Sequence, residues 1–363
     1  MKVESLSVEN KVGMLLMAPL YADSAEDLVA RFRCGSLLTW GGGFGDTAPD
    51  SIEKVCAMNN RIQDASLRHR GIPVWLHGCP CAALDGRQDR WLYKAVTAGV
   101  EPERVEHAAS LLGRRWRALG IHNTPEPTLN VFLFDTGILR QTRISDDAET
   151  VRVYGNAFNR GTLAAQCGTM AQHFPAHGAT PLDSHDAYPV VELARDELWP
   201  DHMLPYQECF DDGCTTICTA HLACPALDSD PNHIATTSRP ILTDVLRGEM
   251  NFDGITIADA IEMKGFQKNG PIEKIVVDAV NAGCDSICMV AIDNVEPVFN
   301  SLLAAVKSGA IPDKRLDEAV QRNMDFLRWL DIADDPHVDA TAAARVIEEL
   351  DHDPAATVLT GEI

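Results

Sequence analysis

Residues 252–263 read Phe-Asp-Gly-Ile-Thr-Ile-Ala-Asp-Ala-Ile-Glu-Met. The run 254–257 is short and apolar, as a strand buried on both faces should be. Just beyond it stands a carboxylate, Asp259. A helical pattern precedes this run at 238–250. Another follows at 272–282, and a second apolar run lies at 286–290. Strand, helix and strand in that order form the βα unit of a parallel sheet.

The unit recurs outward in both directions. Strand candidates lie at 35–40, 72–76, 128–132, 169–173, 215–220, 254–257 and 286–290. Helical patterns fall between them at 51–68, 102–119, 148–167, 204–210, 238–250, 272–282 and 295–307. An eighth strand is expected near 12–20, or that segment is irregular. At 363 residues the leading fold is α/β, a closed (β/α)8 TIM-barrel-like domain over 1–330. A doubly wound open sheet is the second choice. From 331 to 363 the chain turns acidic and Ala-rich, with one helix expected at 341–350. This segment reads as a tail or an oligomer contact rather than a domain.

Composition narrows the function. Hydrophobic residues make up 45%, enough for a large core, and the net charge is −22. Such a charge opposes binding to nucleic acid phosphates or to an anionic membrane. Its ordinary meaning is solubility. The apolar run 13–20 is too short to span a bilayer and lacks a signal-peptide layout, so the chain reads as cytoplasmic. Eleven dispersed cysteines suit reduced thiols. Cys79 and Cys81 form C-x-C, and Cys214 and Cys218 form C-x3-C. Neither has a second ligand pair, so zinc is weakly indicated. Gly41-Gly42-Gly43 lacks dinucleotide-fingerprint spacing and reads as a turn.

Residues 173–185 read His-Phe-Pro-Ala-His-Gly-Ala-Thr-Pro-Leu-Asp-Ser-His. Gly178 and two prolines mark a loop. Asp183 lies two residues from His185, close enough to fix an imidazole tautomer and form a proton-transfer dyad. A metal site and a capped surface loop are the alternatives. His77, Asn130, His173, His221 and Asp259 each stand near, at or just after the end of a strand candidate. In a barrel those ends form one mouth, where active sites sit. Asp259 itself suits a nucleophile, a metal ligand or a helix cap. His221 suits a buried core histidine equally well.

At this point the chain resembles glycoside hydrolase family 3, in particular its single-domain β-N-acetylglucosaminidase branch. The family's Lys-His-Phe-Pro-Gly-His-Gly then Asp-Ser-His is similar to Gln172-His173-Phe174-Pro175-Ala176-His177-Gly178 then Asp183-Ser184-His185. Its nucleophile segment resembles 254–263. Ala220-His221 and Leu227-Asp228 resemble its Ala-His…Asp element, and 242–254 its LR…GFDG element. Ala282-Gly283-Cys284-Asp285 resembles the Ala-Gly-x-Asp of its last strand. Arg143 resembles a substrate-contacting arginine. The similarity covers roughly 10–330.

The resemblance implies a retaining exo-β-glycosidase, β-N-acetylglucosaminidase-like, acting on a carbohydrate. Asp259 would be the nucleophile, and His185, oriented by Asp183, the acid/base. Arg143, Gln172, His173, His77 and His221 are the expected substrate contacts, and no metal or organic cofactor is needed.

Two departures stand out. The family's lysine is Gln172 here, and its Asp-x-Glu-Gly-Gly segment is replaced by Trp75-Leu76-His77-Gly78-Cys79-Pro80-Cys81. A sugar-reading shell changed in this way implies a terminal sugar other than plain N-acetylglucosamine, or low activity on it. Alternatives on the same scaffold are a β-glucosidase, a β-xylosidase, a glycosyl phosphorylase, or a sugar-binding homologue that has lost catalysis.

Overall fold

The computed structural model describes residues 2–21, 23–39, 49–78, 90–134 and 142–362. Cys79, Cys81 and Gly41-Gly42-Gly43 lie outside the described residues. Eight strands close into one barrel: β1 (Leu16–Pro19), β2 (Ser36–Leu38), β3 (Trp75–His77), β4 (Asn123–Thr124), β5 (Gly168–Phe174), β6 (Thr216–Thr219), β7 (Ile255–Ala258) and β8 (Ser286–Cys288). Every pairing is parallel. β1 closes the ring on β8 through Leu16 opposite Ile287 and Met17 opposite Cys288. All strand residues are buried, as expected when helices cover the outside and side chains fill the inside.

The helical patterns form where the local chemistry supports them. In Ile52–Arg70, the Ser51 side chain accepts from Lys54 N, and Gly71 (φ 68°) ends the helix in the left-handed region. Leu302 and Val306 of Val295–Lys307, and Val276 and Val280 of Ile272–Ala282, are buried at helical spacing. Asp313–Trp329 adds a helix after the last βα unit.

One strand differs from the expectation. The ladder uses Asn123–Thr124, whereas 128–132 is irregular and makes only a bridge from Thr128 to Gln172. Pro125 and Pro127 separate the two segments. Proline lacks the N–H a central strand must donate and restricts the residue before it. The alternating pattern of 128–132 therefore serves a loop over the barrel mouth, with Leu129 and Val131 buried.

The acidic C-terminal segment packs on the barrel's outer helices. The helix expected at 341–350 is Ala340–Asp351, followed by Ala356–Thr360. Ile347, Leu350, Val358 and Leu359 are buried. Arg115 pairs with Asp351, Arg104 donates to Thr357 Oγ1 at 2.9 Å, and His107 meets Asp353 at 3.0 Å. No helix among the described residues is long and apolar enough to cross a membrane.

Candidate active site

Asp259 follows β7 directly and sits at the carboxyl end of the barrel. The backbone N–H of Ala260 donates to its Oδ1 at 2.7 Å. Its Oδ2 is 3.8 Å from His173 Nε2, and its side chain is only 17% exposed. Burial acts to raise this carboxyl. His173, His221, the Ala260 N–H and His185 outweigh it, and the net shift is downward. Asp259 is therefore a carboxylate at neutral pH. The next turn is pinned by Glu262, which accepts from the backbone N–H of Val290 and Ala291 at 3.2 and 3.0 Å and from Asn294 Nδ2 at 2.7 Å. The sequence reading gave Glu262 no role, because carboxylates that cap backbone donors resemble exposed ones in sequence.

His173 lies one residue before the end of β5, beneath the loop 125–132. Asn130 Oδ1 accepts from the His173 backbone N–H at 3.3 Å, and Asn130 Nδ2 lies 3.2 Å from His173 Nδ1. A backbone N–H can only donate, so this pair sets the amide's orientation. Nδ1 is then the acceptor, and the proton of neutral His173 sits on Nε2, toward Asp259. Burial lowers the His173 pKa against the upward pull of Asp259, so the ring is neutral.

The loop after His173 is bound to itself. His177 Nε2 meets Ser184 Oγ at 2.8 Å. Gly178 passes so close to the neighbouring loop that a Cβ there would lie 2.2 Å from Val131 O, which only glycine avoids. Asp183 Oδ1 takes both the backbone N–H of His185 at 2.9 Å and its Nδ1 at 2.7 Å. The carboxylate thus holds the imidazole from one side and leaves Nε2 to the mouth, with the His185 side chain 39% exposed.

The remaining expected contacts are placed differently. His221 is fully buried with both ring nitrogens engaged, Nδ1 to Thr236 Oγ1 at 2.8 Å and Nε2 to Ala260 O at 3.2 Å. It positions the residue after Asp259. Gln172 donates its amide to Pro125 O at 2.6 Å and Thr128 Oγ1 at 3.2 Å, tying β5 to the loop above β4. His77 is buried, with Nδ1 2.9 Å from Asn123 Nδ2. Arg143 is held by Asp146 at 3.2 Å and by Tyr93 Oη at 3.0 Å, beside the tyrosine ring. Among the described residues no contact joins Arg143 to Asp259 or His185. Asp228 takes Ser238 Oγ at 2.6 Å and His233 Nδ1 at 2.8 Å, closing its own loop.

Two of these histidines make acid a threat to the fold. Burial is the largest cause in both: it lowers His77 to about 3 and His177 to about 4. Below the ordinary value of 6.5 the unfolded chain takes protons that the folded chain refuses, so stability falls as pH falls. The loss is about 1.4 kcal/mol per pH unit for each histidine until its folded value is reached. Urea midpoints should therefore drop steeply between pH 6.5 and 4, and His77→Asn should flatten the slope. A midpoint independent of pH over that range would contradict the assignment.

This arrangement is a barrel mouth holding a desolvated carboxylate, a neutral imidazole facing it, and a second imidazole on an aspartate. Comparison with known proteins places it in a family: the model of the glycosyl hydrolase family 3 N-terminal domain matches residues 7–325.

The chain belongs to glycosyl hydrolase family 3.

Among its relatives in that family, a beta-N-acetylglucosaminidase/beta-glucosidase of Cellulomonas fimi is 28% identical over 272 residues, covering 72% of this chain and 48% of that one. A beta-hexosaminidase of Chromobacterium violaceum is 28% identical over 240 residues, covering 66% and 62%. The solved family 3 beta-N-acetylglucosaminidase of a Paenibacillus species superposes with a TM-score of 0.82 at 25% identity, covering 95% of this chain and 68% of that one. The chain thus spans about half to two thirds of the length of these family 3 proteins.

Proposed function

We propose that this chain is a retaining exo-β-glycosidase acting on a β-linked N-acetylhexosaminide. Asp259 is the nucleophile and His185 the acid/base. The observation that carries the reading is the double hold of Asp183 on His185, close to a desolvated carboxylate that stays ionised. In the first step an Asp259 oxygen attacks the anomeric carbon. The glycosidic bond breaks, and protonated His185 gives its Nε2 proton to the departing oxygen. The products are a glycosyl ester of Asp259 and a free aglycone alcohol. In the second step His185 takes a proton from water, the hydroxide oxygen attacks the anomeric carbon, and the Asp259 carboxylate is released. Asp183 holds the ring in place and balances the imidazolium. His173 presents Nε2–H beside the nucleophile, where it can bind a sugar hydroxyl or steady the carboxylate.

The names of the relatives support the hexosamine. Gln172 supports a changed sugar shell, because its amide donors are engaged with Pro125 and Thr128. The test is release of p-nitrophenol from a panel of β-linked sugars, with and without phosphate. Turnover confined to N-acetylhexosaminides and indifferent to phosphate is expected. Turnover that requires phosphate would make the chain a phosphorylase. No turnover of any sugar by folded protein would make it a binding protein.

The acid/base role has its own signature. His185→Ala should slow hydrolysis of sugar or alkyl aglycones by about 10²–10⁴-fold, the usual worth of a positioned proton donor. Formation of the glycosyl ester from p-nitrophenyl substrates should suffer far less, because p-nitrophenolate leaves without a proton. Pre-steady-state bursts of p-nitrophenol would then appear in the variant. Equal losses on both substrate classes would remove His185 from the role.

A further inference from the structure

Directly beneath the nucleophile lies a thiol that the glycosidase reading does not use. Thr216 points into the barrel, where its Oγ1 is 3.2 Å from Asn123 Nδ2. Side chains two apart on a strand share a face, so Cys218 also points inward, one layer nearer the mouth. Its sulfur, a nitrogen of His173 and a carboxylate oxygen of Asp259 all lie within 4.8 Å of one another. His173 Nε2 and Asp259 Oδ2 are 3.8 Å apart. A tetrahedral Zn²⁺ with bonds of about 2.0–2.3 Å places its ligand atoms about 3.3–3.8 Å apart, so a side-chain movement of about 1 Å completes the triangle.

We propose that Cys218, His173 and Asp259 form a binding site for a thiophilic divalent cation of the Zn²⁺ class, which blocks the barrel mouth when occupied. Thiolate, imidazole and carboxylate together favour Zn²⁺ or Cd²⁺ over Mg²⁺ or Ca²⁺, which prefer oxygen ligands. On binding, the Cys218 S–H bond breaks, a sulfur–metal bond forms, and the proton leaves to solvent; no oxidant is involved. His173 must then carry its proton on Nδ1, so the bond that Asn130 Nδ2 gives this nitrogen in the free protein is lost on binding. The fourth position of the metal faces the mouth. Inhibition follows from the proposed role of Asp259, since a coordinated oxygen is no longer free to attack carbon. The binding itself does not depend on that role.

The test is Zn²⁺ titration by calorimetry on the full chain in a Cys79→Ser/Cys81→Ser background, which removes the C-x-C pair as a competing ligand. One equivalent should bind. X-ray absorption at the zinc edge should show one sulfur at about 2.3 Å, with nitrogen and oxygen completing the shell. Adding Cys218→Ser should weaken binding by at least about tenfold, the lower end of what loss of an outer-shell partner alone costs. Mg²⁺ should not compete. Absence of binding, unchanged affinity in folded Cys218→Ser, or a zinc shell with no sulfur or with several would each overturn the site. If Cys218→Ser fails to fold, the absorption spectrum of the protein with Cys218 intact decides. Zn²⁺ binding without glycosidase activity would uphold this site while refuting the proposed function.

Discussion

Asp259→Ala is expected to abolish turnover of whichever β-linked sugar the protein hydrolyses, lowering kcat by at least about 10⁴-fold, as removal of a covalent nucleophile does elsewhere. The physical reason is that no other described carboxylate stands in the same position. Asp183 is committed to His185 through two hydrogen bonds to one oxygen, and Glu262 is committed to Val290, Ala291 and Asn294. Alanine there also removes a buried charge whose one backbone hydrogen bond comes from Ala260, so the fold should survive. A 5-fluoro N-acetylhexosaminyl fluoride should label the wild type on Asp259 and leave the variant unlabelled. Retention of more than about a tenth of wild-type kcat in folded Asp259→Ala, far above what nucleophile loss allows, would remove it as nucleophile.

Asp285→Ala should be the most destabilising single substitution at the other end of the barrel. Asp285 precedes β8, at the amino-terminal face, and is completely buried. Oδ2 accepts from Arg247 at 2.7 Å and from the backbone N–H of Thr256 at 3.1 Å. Oδ1 accepts from Arg315 and, at 3.3 Å, from Arg322. Burial opposes the charge, but the three arginines hold the carboxyl below its usual range. Arg247 also reaches Phe252 O and Gly254 O, each at 2.7 Å, so the cluster joins the starts of β7 and β8 to the outer helices. Removing the carboxylate leaves three cations around a cavity. Loss of one partner from a buried pair costs about 3–5 kcal/mol, and here three lose it together. Urea unfolding should show a loss of at least that size or no soluble protein at all, and Asp285→Asn should fall between. A midpoint near the wild-type value would mean that the arginines find water instead.

Particular residues show how far the sequence can be read. The run 254–257 and the carboxylate after it were legible because a parallel strand is apolar on both faces and a polar residue beyond its end has one place to go, the mouth. The loop 173–185 was legible because prolines and a glycine among histidines and an aspartate fit nothing regular. The strand at Asn123–Thr124 was hidden, since two polar residues carry no periodicity and the pattern at 128–132 imitates a strand. Arg143 was selected by its resemblance to a substrate-contacting arginine of the family, and its guanidinium is engaged by Asp146 and Tyr93.

The chain's sequence by itself determined the βα repeat, the barrel class and the segments that supply Asp259, Asp183 and His185, because hydrophobic periodicity and loop punctuation are local properties. Only the tertiary structure decided what each polar residue faces. It set Asp259 against His173, enclosed His221 behind Ala260, turned the Gln172 amide toward Pro125, and placed Asp285 at the face away from the site. Those outcomes depend on contacts between residues far apart in the chain, and no local pattern records them. Burial and the charge of distant neighbours, not residue type, make one aspartate a candidate nucleophile and another a structural anchor.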